Sequence, residues 1–136
     1  MVKIDVLYEG GLHCRLKHGP SGMEISTDAP KDNMGKGEAF SPTDLVASAL
    51  ASCMLTTMGI VAQRHSLKIE GASAEVTKEM TAIPPRKIAK LSVTIRMPKG
   101  IPAAERPLLE RTALGCPVHK SLHPEVEVPV QFEYQD

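Results

Sequence analysis

The residues in this chain best suited to chemistry are two cysteines, each in a local setting that favours reaction at sulfur. Cys53 lies in a run of small and apolar residues from Leu45 to Met58, with the hydroxyls of Ser48, Ser52, Thr56 and Thr57 close on either side. Cys116 opens the phrase Gly115-Cys116-Pro117-Val118-His119, which reads as the start of a short helix. A thiol at such a start faces backbone N–H groups and the positive end of the helix dipole, so Cys116 is expected to ionise the more readily of the two. Cys53 stands well past the first turn of its own helix, where the dipole no longer helps. The pair is too far apart in sequence for a local metal knuckle. It suits a thiol that attacks peroxide and a second thiol that closes a disulfide with it. Blander roles are open to both: Cys53 as a small buried hydrophobe and Cys116 as a weak capping residue. Cys14, between His13 and Arg15 on an alternating segment, reads as a packing residue. His119 follows Cys116 by about one helical turn and is a candidate proton partner, which leaves a Cys/His thiol hydrolase open.

Other chemistries find little support. The histidines His65, His119 and His123 lack the paired short spacings of a structural zinc site with either cysteine. Gly35-Lys36-Gly37 follows no apolar strand and is not a phosphate loop, and no GxSxG elbow occurs. No metal or cofactor is therefore expected. Lys plus Arg and Asp plus Glu both number 16, a balance that removes the broad attraction nucleic-acid binding requires. The aromatic residues are Tyr8, Phe40, Phe132 and Tyr134, with no Trp, too few to form stacking platforms for bases. No apolar run is read as long enough for a bilayer, and no signal-peptide pattern begins the chain. A single soluble, cytoplasmic domain over residues 1–136 is the expectation. Three cysteines without CxxC spacing fit catalytic or incidental thiols better than a disulfide framework.

These thiols must be positioned by an α+β arrangement. Val2–Tyr8, Leu12–Leu16 and Met23–Thr27 alternate and are separated by Gly-rich turns, which predicts a three-stranded meander. Residues 28–40 carry Gly, Lys and Asp without periodicity and read as a loop. Ser41-Pro42-Thr43-Asp44 is a helix start, with Ser41 as cap, Pro42 at the first helical position and Asp44 near the amino-terminal dipole. The helix then runs to about His65 and is apolar nearly all round, which predicts burial on every side. Leu67–Met80 and Ile88–Met97 read as strands, Pro102–Leu114 as a second helix, Cys116-Pro117 as the start of a third, and Glu125–Tyr134 as a closing strand. The order lacks a repeated βαβ unit, so mostly antiparallel pairing is expected.

Ser41-Pro42-Thr43-Asp44-Leu45 leading into Ala49-Leu50-Ala51-Ser52-Cys53, with Gly115-Cys116-Pro117-Val118 downstream, resembles the OsmC/Ohr family over nearly the whole chain. The resemblance implies antiparallel sheets wrapped around central helices in an intertwined homodimer, with active sites at the subunit interface. It implies reduction of organic hydroperoxides and, less well, hydrogen peroxide. Cys53 matches the attacking cysteine and Cys116 the resolving one, and a dithiol, such as a lipoylated protein, would reduce the resulting disulfide. The peroxidases of that family carry Glu directly after the proline opening the central helix, where this chain has Thr43. The Ohr branch carries Arg after a Gly-Gly turn, where Gly10-Gly11 is followed here by Leu12. Both departures place the chain nearer the general OsmC-like branch. Arg15, the next Arg along, is the candidate for stabilising the Cys53 thiolate, with Glu38 or Asp44 orienting it. The alternative of another class is a non-catalytic dimer that binds an apolar ligand in a pocket lined by Met54 and Met58.

Overall fold

The protein is described by a computed structural model covering residues 1–136. Two compact units divide the chain, Met1–Val46 and Ala47–Asp136. The first holds an antiparallel meander of β1 (Ile4–Gly10), β2 (His13–His18) and β3 (Glu24–Asp28). The β1–β2 turn is left-handed through Gly10, Gly11 and Leu12, with φ of 84°, 62° and 60°. Glycine accepts that conformation freely, while Leu12 is strained by it.

Register sorts the two faces of this sheet by chemistry. Val6 lies opposite Leu16, Tyr8 opposite Cys14 and Leu16 opposite Ile25, so one face is apolar. Leu7 lies opposite Arg15 and His13 opposite Asp28, which sends Glu9, His13, Arg15 and Asp28 to the other. Ile4, Val6, Tyr8, Met23 and Ile25 remain largely exposed in the single chain. The loop after β3 contains a 3₁₀ turn, Lys31–Asn33, and returns so that Asp28 N–H donates to Phe40 O at 3.1 Å.

Helix α1 runs from Pro42 to Arg64 and passes from the first unit into the second. Its start is a reciprocal cap. Asp44 N–H donates to Ser41 Oγ at 3.0 Å, and Ser41 N–H donates to Asp44 Oδ2 at 3.0 Å. The cap expected at Ser41 is thus present, and the Asp44 carboxylate takes part in it. Within the single chain the burial is one-sided. Ala47, Leu50, Ala51, Met54, Met58 and Ala62 form one buried stripe, while Ala49, Ser52, Thr56 and Ile60 face outward. By length and composition α1 could cross a membrane, contrary to the expectation that no apolar run is long enough. The seating of Leu50, Met54 and Met58 at 0% exposure in a protein core marks it instead as a core helix.

In the second unit, β4 (Ser73–Met80) pairs antiparallel with β5 (Ile88–Arg96), and β6 (Val130–Glu133) pairs parallel with β5. The chain reaches β6 through a 3₁₀ turn (Ala103–Glu105), α2 (Arg106–Leu114) and α3 (Pro117–Ser121). That helical crossover is what a parallel neighbour requires, and the other strand pairings are antiparallel, in keeping with the mostly antiparallel α+β arrangement expected. β4 also starts later than the run from Leu67, because Ser66 (φ 54°) and Gly71 (φ 93°) turn the backbone first. Leu91, Val93, Ile95 and Met97 from β5 and its end pack in one cluster with the α1 stripe and with Leu109, Ala113 and Cys116.

Candidate dithiol site

Two elements remote in sequence bring Cys53 and Cys116 together. Cys53 is half-buried on α1, and its carbonyl accepts a hydrogen bond from Thr57 Oγ1 at 2.9 Å. Cys116 is fully buried and caps α3, with its sulfur accepting from the His119 backbone N–H at 3.4 Å. Pro117 occupies the first position of α3, where a missing N–H costs nothing. The two thiols adjoin closely enough for Cys53 to act on the Cys116 sulfur, and both are free.

The ready ionisation expected at Cys116 is not found. Burial pushes its thiol above the ordinary value of 9.0, and the adjoining Cys53 sulfur pushes the same way. Backbone donation from His119 and Val118 offsets only part of this. A helix of five residues offers little dipole, and removal from water disfavours the thiolate more strongly. Burial accordingly favours the protonated form of Cys116.

The remaining expected residues distribute as follows. Arg15 is exposed on the polar face of β2 and pairs with Glu9 at 3.7 Å, not with Glu38 or Asp44. Glu38 is exposed, and its backbone N–H donates to Asp28 Oδ2 at 3.1 Å. The His119 ring does not serve Cys116 as a base. Its Nδ1 is hydrogen-bonded to Leu114 O at 2.6 Å, and His119 meets the Cys116 sulfur through its backbone N–H, not through the ring. Met54 and Met58 are fully buried in the core. Cys14 packs at a β2 position opposite Tyr8 and Thr27, as expected for a strand residue. No cluster of three or more His, Cys, Asp or Glu side chains could hold a metal ion.

One feature beside the thiols had no sequence signal. A groove of about 300 Å³ is lined by Thr57, Ile60 and Val61 from α1 and by Arg111, Thr112 and Gly115 from α2 and its end. Thr57 lies one turn beyond Cys53, and Gly115 precedes Cys116. Arg111 is invisible to motif reading because only the packing of α2 on α1 brings it there.

A family model described as OsmC-like protein matches residues 35–131, which include both cysteines. The chain belongs to the OsmC-like family. A structure from Psychrobacter arcticus, of a protein named for osmotic stress induction and detoxification response, is similar at 45% identity. Its TM-score is 0.92, with 98% of this chain and 96% of that one covered. The OsmC organic hydroperoxide resistance protein of Legionella pneumophila is 18% identical, with TM-score 0.78 over 98% and 96% of the two chains. The organic hydroperoxide resistance protein OhrB of Bacillus subtilis is 17% identical, with TM-score 0.72 over 98% of each. These last two share the fold. No functionally curated protein matches the chain.

Proposed function

We propose that this OsmC-like protein is a cofactor-free thiol peroxidase that reduces organic hydroperoxides, and hydrogen peroxide less well, through a Cys53–Cys116 disulfide cycle. The observation that carries this reading is the contact between two free thiols held by different elements. Cys53 thiolate attacks the distal peroxide oxygen. The O–O bond breaks, the alkoxide leaves and takes a proton, and Cys53 becomes a sulfenic acid. Cys116 sulfur then attacks the Cys53 sulfur, the S–O bond breaks, and water leaves with the Cys116 proton. An external dithiol, such as a lipoylated protein, returns two electrons and regenerates both thiols. The raised, buried thiol of Cys116 supports the resolving role for it and the attacking role for Cys53. The groove with Ile60 and Val61 in its walls suits an organic substituent on the peroxide. The names of the Legionella and Bacillus proteins agree with this substrate class.

The working form in this proposal is a homodimer. The apolar face of β1–β3 has no cover in the single chain, and an exposed face of this kind marks an interaction surface. In the dimer Arg15 is the proposed cation for Cys53, oriented by Glu38 or Asp44 in place of Glu9. The deciding experiment is a panel of hydroperoxides with dihydrolipoamide as electron donor. Parent protein should lose two thiols per equivalent of cumene hydroperoxide and form the Cys53–Cys116 bridge, leaving Cys14 free. Cys53→Ser should consume no peroxide, and Cys116→Ser should stop after one turnover with a trapped sulfenic acid. Peroxide consumption by Cys53→Ser at the parent rate would overturn the assignment.

A further inference from the structure

The chain between α2 and α3 closes on itself around Cys116. Cys116 N–H donates to Ala113 O at 3.2 Å, and Lys120 N–H donates to Cys116 O at 3.1 Å. Two further bonds come from a single residue. The His119 ring Nδ1 meets Leu114 O at 2.6 Å, and the His119 backbone N–H donates to Cys116 Sγ at 3.4 Å. Leu114 is the last residue of α2, where helix carbonyls lack intrahelical partners. A carbonyl only accepts, so Nδ1 carries the proton and the neutral ring leaves Nε2 bare. The imidazolium donates from Nδ1 as well, so this bond persists in both protonation states. It is a tether and not a switch.

We propose that His119 is a positioning residue for the second thiol, its imidazole tethering α3 to the end of α2 so that its own backbone N–H stays on Cys116 sulfur. A helix of one turn has almost no stability of its own and takes its position from its anchors. Among those anchors, Ser121 Oγ reaches only Pro117 O, and the Leu122 N–H reaches only His119 O, both bonds internal to α3 and its end. Val118 and Leu122 contribute apolar packing, which fixes a surface but no direction. The His119 ring is the side chain that hydrogen-bonds α3 back to α2. Pro117 has no N–H, so the sulfur depends for backbone donors on Val118 and His119. Loosening the ring contact therefore loosens one of the donors that steady Cys116 as it attacks sulfenic acid.

The inference deepens the peroxidase reading and rests on it for its rate consequence, but its geometry is testable without turnover. Asn places an amide nitrogen at the δ position, where His has Nδ1, whereas Gln places its nitrogen one bond further out. In Cys14→Ser protein mixed with one equivalent of cumene hydroperoxide, dimedone trapping gives the lifetime of Cys53 sulfenic acid. His119→Ala and His119→Gln should lengthen that lifetime roughly three- to tenfold, the factor of one hydrogen bond of ordinary net strength. His119→Asn should restore most of the parent rate, and the initial peroxide step should be unchanged in all three. Thiolate absorbance in a Cys14→Ser, Cys53→Ser background should titrate at higher pH in His119→Ala and His119→Gln than in the parent or His119→Asn. Equal behaviour of the Asn and Gln variants, or an unchanged Cys116 titration in both Ala and Gln, overturns the role of His119. A parent protein that consumes no peroxide overturns the peroxidase reading instead, and the titration still decides the tether.

Discussion

At Cys116 two influences on one sulfur oppose each other: a helix-start position that favours the thiolate and complete burial that disfavours it. Burial is the larger. The consequence for stability has a definite sign. A thiol whose folded value is raised stabilises the native state below its unfolded value, and that contribution is lost as pH rises through the higher folded value. The denaturant midpoint of the parent should therefore fall as pH passes above the ordinary 9.0, and a Cys116→Ser protein should lack that component of the fall. Equal pH profiles in the two proteins would count against a buried neutral thiol. The Gly-Cys-Pro phrase showed that Cys116 caps a helix but not that the cap is sealed in the core, because burial is decided by α1 and β5, remote in sequence. Arg15 raises the converse question, since its type suits a thiolate but its ion-pair partner on the same face is Glu9. If it reaches Cys53 in the dimer, Arg15→Ala should slow the peroxide reaction about tenfold, the factor of one charge-assisted hydrogen bond. Arg15→Lys should recover only part, because an ammonium lacks the planar fork. A stopped-flow rate unchanged by Arg15→Ala would remove the residue from the site.

The elements that carry the thiols were largely legible in the chain, and the cap of α1 shows why. Ser41 and Asp44 are near in sequence, so the physics that joins them is local. Ser41→Ala should cost about 1 kcal/mol in chemical denaturation, the usual loss for a cap. Leu50→Ala, which empties a fully buried position, should cost roughly 2–5 kcal/mol. The loop after β3 offers a pH test. The imidazole of His13, 2.5 Å from Asp28, holds that carboxyl below the ordinary 3.8, and the same carboxylate receives the Glu38 N–H. Its stabilising effect is present above the ordinary carboxylate value and lost as pH falls through the lower folded one. Exchange protection of the Glu38 amide should thus persist through mild acid and disappear only below that range, while Asp28→Asn should weaken it at neutral pH. Strand direction was the part not legible. Val126, Val128, Val130, Phe132 and Tyr134 alternate inward as their pattern implies, but alternation is the same in a parallel and an antiparallel strand. The crossover through α2 and α3 makes β6 parallel to β5, a fact of chain path and not of local composition. The same limit applies to Arg111, which reaches the groove beside the thiols only through the packing of α2.

For the whole molecule the question is what covers the surfaces one chain leaves bare. Ile4, Val6 and Tyr8 lie on one face of β1, with Met23 and Ile25 at and beside β3, and all are exposed; Ala49, Ser52, Thr56 and Ile60 run along the outward side of α1. Scattered apolar residues need no explanation, but a register-matched apolar sheet face does. An edge-to-edge contact would leave that face in water, so face-to-face burial by a second copy is the arrangement that removes it. Such an interface should bury an obligate-scale area, above roughly 2,000 Å² in total. Light scattering at micromolar concentration should therefore report a dimer. Val6→Glu combined with Ile25→Glu places two carboxylates on the apolar face without touching the buried core of the second unit. That protein should dissociate or unfold, whereas Lys17→Glu, on the opposite face of the same sheet, should leave the dimer intact. A monomeric parent, or a dimer indifferent to the Val6 and Ile25 changes, would rule out this face as the interface and with it the dimeric route by which Arg15 could reach Cys53.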